Sequence, residues 1–155
     1  MSATQASVGR NNLMANGKKA LVGSAKASAR LRAVGLRPTR QRRLLAELLF
    51  RYGHRHVTAE LLHREAEESG GRVSLATVYN ALHQFTAAGL LQQVVVEPSR
   101  SYFDTNCGSH QHFYHEDDGE LIDIADDRVA VSGLPQPPKG TAIARVDVVV
   151  RIRRA

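Results

Sequence analysis

The chain of 155 residues has a single cysteine, Cys107, no tryptophan, and few aromatic residues (5% of the sequence). One thiol cannot form an internal disulfide, which fits a reducing compartment such as the cytosol. Because no Cys-x-x-Cys pair is present, a tetrahedral thiolate zinc site is excluded. The sequence also lacks an apolar run long enough to cross a bilayer, and we find no secretory signal, so we expect a cytoplasmic protein without a membrane partner.

Acidic residues are almost missing from the first third of the chain. Between Met1 and His56 there are twelve Lys or Arg residues and one acid, Glu47. Between Ser101 and Ala130 the balance reverses, with eight Asp or Glu residues and one base, Arg128. This asymmetry predicts a polyanion-binding site in the N-terminal third and a cation-binding site within residues 101–130, although many basic tails only improve solubility. Residues 1–29 have little apolar periodicity and are predicted to form a disordered basic tail.

Residues 74–85 carry the most informative pattern of the chain. Their spacing predicts a helix with Leu75, Val78, Leu82 and Phe85 on an apolar side and Ser74 as N-cap. The other side has hydrogen-bonding groups and no acid. A helix of this kind suits the DNA major groove, and an ordinary amphipathic helix is the simpler alternative.

The elements around this helix predict a winged helix-turn-helix over residues 30–105. We expect a first short helix near Leu31 and helices at 40–52 and 59–69, followed, beyond the helix at 74–85, by a hairpin whose strands lie within 90–97 and 100–105. Such a domain binds double-stranded DNA. The candidate DNA-binding residues lie before or within the helices and at the hairpin tip: Arg37, Thr39, Arg40, Arg42, Ser74, Thr77, Tyr79, Asn80, Gln84 and Arg100.

Beyond Asn106 the apolar period changes to two. Strands are predicted at 112–115, 121–124 and 144–152, and a sheet of three strands cannot bury both faces alone. We therefore expect residues 106–155 to form a small α/β dimerisation domain, which makes the whole chain an α+β protein. A homodimer would place two recognition helices on a palindromic operator.

Five residues form a candidate metal site: His56, Asp104, His110, His112 and Asp123. His110 and His112 lie on the same side of an extended strand, roughly 7 Å apart. Nitrogen and oxygen donors suit Fe²⁺, Mn²⁺ or Zn²⁺. A His-x-His pair alone is weak evidence, and Tyr114 and His115 are alternative haem ligands. A metal-dependent hydrolase, or a protein that stores metal or haem, would also use such donors. The basic N-terminal region and the helix at 74–85 favour a non-enzymatic DNA-binding protein instead.

Four ordered motifs resemble the ferric uptake regulator (Fur) family: residues 35–42, 56–60, 74–80 and 103–105. Residues 36–42, 110–114 and 143–154 resemble its iron response regulator (Irr) branch in particular. The resemblance implies a dimeric, cytoplasmic transcription regulator of iron and haem homeostasis with an AT-rich palindromic operator. Haem, a divalent metal, or both would control its DNA affinity.

The resemblance also assigns roles to individual residues. It implies that Tyr79 stacks on a thymine methyl and that the five candidate ligands form a regulatory metal site between the two domains. Two departures stand out: Asn80 replaces an arginine of Fur proper, and Gln111 replaces the middle one of three histidines of the Irr branch. The alternatives within the family are a metal-dependent Fur-type repressor and a peroxide sensor.

Overall fold

The computed structural model describes residues 23–125 and 128–155. These residues form two compact units, one with residues 23–95 and 99–107, the other with residues 96–98 and 108–155. Within the described ranges, no helix is both long enough and apolar enough for a membrane span.

Residues 23–33 are helical (α1), which corrects the predicted tail. Ala27 and Leu31 of this helix are buried in the hydrophobic core, so residues 23–29 belong to the folded unit. Small residues hid this signal, because alanine and serine give weak apolar contrast along a helix. The remaining part of the predicted tail, residues 1–22, lies outside the described residues.

Three further helices complete the helical part of the first unit: α2 at Arg40–Phe50, α3 at Ala59–Glu68 and α4 at Leu75–Ala87. Each follows an N-cap residue whose hydroxyl accepts a backbone N–H three residues on, and the cap at Ser74 is the one predicted above. The pairs are Thr39 with Arg42, Thr58 with Leu61, and Ser74 with Thr77. These bonds satisfy amides that the first turn of a helix leaves without partners.

The apolar side of α4 differs from the prediction at one position. Val78, Leu82 and Phe85 are fully buried and Ala81 nearly so, whereas Leu75 is 37% exposed. Leu75 is the first residue of the helix and lies beyond the edge of the packed stripe. The prediction that Leu75 faces the core is therefore wrong.

A three-stranded sheet follows the helices and forms the wing. It contains β1 (His56–Val57), β2 (Gln92–Glu97) and β3 (Arg100–Asp104) in the order β1-β3-β2. The predicted hairpin is confirmed, with Pro98 and Ser99 between its strands. Strand β1 pairs antiparallel with β3, placing His56 opposite Asp104.

The second unit has its own three-stranded sheet: β4 (Gln111–His115), β5 (Glu120–Ile124) and β6 (Val149–Ile152), in the order β5-β4-β6. β5 runs antiparallel to β4, and β6 runs parallel to it. β6 is shorter than predicted, because its register pairs Val149 with His112 near the start of β4. Residues before Val148 therefore have no β4 residue opposite them with which to pair.

Candidate DNA-binding face and metal ligands

The polar side of α4 is exposed and carries no acid. Asn80, His83 and Gln84 are exposed, and Tyr79 is half-buried. The Ser74 and Thr77 hydroxyls lie 2.8 Å apart and take part in the helix cap. This helix side therefore offers amide, imidazole and phenol groups to a ligand, while Ser74 and Thr77 also stabilise the first turn.

Arg42 of α2 and Gln84 of α4 are linked side chain to side chain. The Nε and Nη2 atoms of Arg42 donate to Oε1 of Gln84 at 3.1 and 2.7 Å. Nη1 of Arg42 donates to the carbonyl of Arg37 at 3.0 Å. Since a guanidinium has only donors, the Gln84 oxygen must face Arg42 and its amide nitrogen must point elsewhere.

Tyr79 makes a contact that the sequence did not predict. Its hydroxyl donates to Oε1 of Glu60, on the first turn of α3, at 2.6 Å. The carboxylate raises the pKa of Tyr79, and the hydrogen bond from Tyr79 lowers the pKa of Glu60. Positive charge at Arg100 also contributes to lowering the pKa of Glu60. No pattern in the sequence links residues 60 and 79, because the contact depends on how two helices pack.

The remaining candidate DNA-binding residues lie around the start of α2 and at the start of β3. Arg37 and Arg40 are exposed at the start of α2, and Arg100 is exposed at the start of β3. Thr39 and Arg40 also line an open cleft of about 610 Å³ together with Arg72, a basic residue that is not among the predicted candidates. The cleft is basic and lies beside the N-terminus of α2, where partial positive charge collects.

The first unit holds two of the five predicted metal ligands. His56 and Asp104 are directly opposite each other in the β1–β3 pairing, and His56 Nε2 lies 3.2 Å from Asp104 Oδ2. The Asp104 carboxylate is fully buried, and its Oδ1 accepts the Asn106 backbone N–H at 2.8 Å. A buried carboxylate is costly unless it is paired or binds a cation.

The second unit holds the other three ligands. His112 and Asp123 are opposite each other in the β4–β5 pairing, and one donor atom from each of His110, His112 and Asp123 lies within 4.8 Å of the others. The two imidazole rings have centroids 4.6 Å apart, closer than the rise of an extended strand suggests, because His110 lies just before β4. Both histidines are buried, whereas the Asp123 side chain is 38% exposed.

The orientation of His110 suits metal binding. Its Nδ1 lies 2.7 Å from the carbonyl of Gly108. A carbonyl can only accept, so Nδ1 carries the proton and Nε2 of the neutral ring carries a lone pair. A carbonyl behind a ligating imidazole fixes its tautomer and ring orientation in this way.

The two alternative haem ligands lie in less suitable positions. The Tyr114 side chain is 1% exposed, and Arg151 lies over its ring at 5.5 Å from the centroid. Nδ1 of His115 lies 3.2 Å from Asp118. Tyr114 is therefore closed off from the surface, and Nδ1 of His115 is buried beside a carboxylate.

The first unit is thus a winged helix-turn-helix whose helix α4 carries no acid, and imidazole and carboxylate donors suited to a first-row divalent cation are present in both units. Sequence comparison gives the same class. Residues 33–148 match the ferric uptake regulator family, and the chain belongs to this family.

Individual relatives agree with this assignment. The chain is 35% identical over 100 residues to the ferric uptake regulation protein of Shigella flexneri, which covers 64% of this chain and 68% of the relative. It is 33% identical over 96 residues to the peroxide-responsive repressor PerR of Staphylococcus aureus Mu50, covering 62% and 64%. Among solved structures, the ferric uptake regulator of Pseudomonas aeruginosa with manganese has a TM-score of 0.63 and 28% identity, covering 83% of this chain and 97% of that one.

Proposed function

We propose that this protein is a transcription regulator that binds duplex DNA through α4 and whose DNA affinity is controlled by a divalent metal. The observation that carries the proposal is the exposed, acid-free side of α4 in a winged helix-turn-helix fold. Such a helix enters the major groove while the preceding helix contacts the backbone. Residues 30–105 would bind DNA, and residues 106–155 would sense the metal and dimerise.

Individual DNA contacts follow from the chemistry of the exposed side chains. Tyr79 and Asn80 would contact base edges, with the Tyr79 ring against a thymine methyl and the Asn80 amide hydrogen-bonding to a base. Exposed basic side chains would bind the DNA phosphates and make the affinity strongly dependent on salt. These basic side chains are Arg37, Arg40 and Arg100. The proposed DNA-binding face is completed by Thr39, Arg42, Ser74, Thr77 and Gln84.

We propose that the two donor groups, His56 with Asp104 and His110 with His112 and Asp123, bind a divalent metal. Imidazole and carboxylate donors suit Mn²⁺, Fe²⁺ or Zn²⁺. The buried Asp104 carboxylate supports this, since a cation would compensate its charge. The ferric uptake regulator of Pseudomonas aeruginosa with manganese is a precedent in a related chain.

We further propose a homodimer formed through the sheet of the second unit. Phe113 of β4 pairs in register with Ile122 of β5 and with Val150 of β6, so the three side chains form one row across a single face. Ile122 is 39% exposed and Val150 is 36% exposed, whereas His112 and Tyr114 on the other face are buried. A second copy would cover this apolar row, and the dimer would bind a palindromic, AT-rich operator.

Within the family we propose an Irr-like regulator of iron and haem homeostasis, with haem as a second effector acting through His110 and His112. The motifs at 36–42, 110–114 and 143–154 support this branch. His110 and His112 would offer imidazole nitrogens, which are common axial ligands of haem iron. A peroxide-sensing function, suggested by the similarity to PerR, would use the same donors with iron.

Fluorescence anisotropy with duplexes selected from a random library tests the function. The full chain is titrated onto the selected duplex with chelator, with Mn²⁺, and separately with haem. Binding that appears only with Mn²⁺ supports metal control, and loss of binding with haem supports the Irr-like proposal. Failure to select any duplex under all three conditions contradicts the function. His112→Ala should remove the metal response, and His54→Ala, an exposed histidine outside the proposed site, should retain it.

A further inference from the structure

The hydroxyl of the proposed groove-reading residue, Tyr79, is bonded to an acid on the neighbouring helix. Glu60 lies on the first turn of α3, is exposed, and accepts the Tyr79 hydroxyl at 2.6 Å. A hydrogen bond to a charged acceptor at this distance is among the stronger ones that proteins make. Tyr79 is therefore held at its hydroxyl end by a residue outside the recognition helix.

The rest of the Tyr79 ring is held from α4 itself. The ring of His83, one turn further on, lies nearly parallel to that of Tyr79, with an interplanar angle of 22° and centroids 6.4 Å apart. His83 in turn makes an edge contact with the buried Phe103, at a centroid distance of 5.7 Å. The orientation of Tyr79 is thus fixed between Glu60 on one helix and a ring anchored on the wing strand β3.

The position of Glu60 is unexpected for a DNA-binding face. A carboxylate near DNA phosphates lowers affinity for every sequence, because like charges repel. An exposed tyrosine without a partner would, in contrast, lose side-chain freedom on binding each time it packed against a base. Orienting Tyr79 would offset this repulsion, beside the stabilisation that an acid gives the first turn of a helix and the nearby positive charge of Arg100.

We infer that Glu60 is a positioning residue that orients the Tyr79 ring for contact with a thymine methyl, exchanging general DNA affinity for sequence preference. This inference rests on the proposed DNA-binding function. Because the hydroxyl donates to Glu60, its oxygen can offer only lone pairs to DNA, and the ring supplies the apolar contact. Glu60 would act through Tyr79 and touch no base itself.

The test uses a duplex selected by the wild-type chain, in which each thymine is replaced in turn by uracil. This change removes one methyl group and leaves the Watson–Crick pairing intact. For the wild type we expect one position in each half-site of the palindrome where the replacement weakens binding about three- to fivefold, the value for one buried methyl-sized group. Tyr79→Ala should abolish the penalty at those positions, which identifies the contacted thymines.

Variants at Glu60 then separate its charge from its positioning. Glu60→Ala should reduce the uracil penalty below about 1.5-fold while raising affinity for a scrambled duplex. In a Tyr79→Ala background it should still raise general affinity but should have no further effect on the uracil penalty. Glu60→Gln keeps an acceptor for the Tyr79 hydroxyl, so it should retain the penalty. Glu68→Ala, at the far end of α3, is the matched control and should behave like the wild type.

A wild-type uracil penalty that persists in Glu60→Ala would overturn the inference, as would the absence of any uracil penalty in the wild type. These results differ from a failure of the proposed function, in which the wild type would not distinguish the selected duplex from the scrambled one. Glu60 is exposed, so the variants should fold, and circular dichroism confirms this before binding is measured.

Discussion

At the scale of single residues, the Tyr79–Glu60 hydrogen bond links two ionisable groups and so makes stability depend on pH. The pKa of Glu60 is lowered in the folded chain, chiefly by the Tyr79 hydroxyl. The bond therefore contributes stability above the unfolded pKa of Glu60, and this contribution is lost as pH falls through the lower, folded pKa. The pKa of Tyr79 is raised, so a second loss occurs as pH rises through its folded value.

We predict that Tyr79→Phe removes both effects. Carbon-13 NMR of the Glu60 carboxyl should show a higher pKa in Tyr79→Phe than in the wild type. The difference in unfolding free energy between the two proteins should shrink as the pH falls through the folded pKa of Glu60. An identical Glu60 titration curve in both proteins would contradict the hydrogen bond seen here.

The Asp104 carboxylate gives a second prediction at this scale. Asp104→Asn keeps an oxygen that can accept the Asn106 N–H but removes the negative charge beside His56. We expect Mn²⁺ affinity to fall by about tenfold or more, since even partners behind the ligands affect affinity by about 10- to 100-fold. Calorimetric titration measures this loss. Asp147 is an exposed carboxylate that pairs with Arg145, so the Asp147→Asn variant should bind Mn²⁺ like the wild type.

At the scale of elements, the Arg42–Gln84 pair connects α2 to α4, the helix proposed to enter the major groove. Gln84→Glu would turn this link into an ion pair while removing the outward amide donor. We predict that stability changes little, by about 0.5 kcal/mol, because the pair is at the surface. DNA affinity should fall, since a carboxylate would face the phosphates.

Urea unfolding and anisotropy distinguish these two effects. Gln84→Ala serves as the comparison, because it removes the link and adds no charge. Equal DNA affinity for Gln84→Glu and the wild type would exclude α4 position 84 from the DNA interface.

Which elements could be predicted from sequence depended on how local their signals are. The caps at Thr39, Thr58 and Ser74 act over three residues, so the starts of α2, α3 and α4 could be located from sequence alone. The start of the long strand predicted at 144–152 could not, since pairing with β4 decides it. The contact of Glu60 with Tyr79 could not be predicted either, because its partner is nineteen residues away on another helix.

The five candidate metal ligands could be proposed because of the family resemblance and the His-x-His spacing. What the sequence alone could not give is the strand register that puts His56 opposite Asp104 and His112 opposite Asp123. Register has a period of two, so a slip of one residue would send one partner of each pair to the opposite face. The resemblance supplied the ligands, and the structure supplied the reason why the residues within each unit approach one another.

At the scale of the whole molecule, the row formed by Phe113, Ile122 and Val150 predicts the assembly state. The wild type should have a mass twice the 17.0 kDa of the chain by light scattering. Ile122→Asp should give the monomer, because a charge in the centre of an apolar interface is not compensated. Val131→Asp, an exposed apolar residue outside the row, should stay dimeric. A monomeric wild type would contradict the proposed interface.

The two cross-strand ligand pairs also differ in how far apart their members are along the chain, and this affects the order in which they form. His112 and Asp123 are eleven residues apart and join across one tight turn, so closing that loop costs little entropy. His56 and Asp104 are 48 residues apart, and the intervening chain contains two helices. During synthesis His56 would wait roughly 2 to 10 s for Asp104 to be added. The donors of the first unit therefore come together only when most of that unit has been made, whereas those of the second unit require a single hairpin.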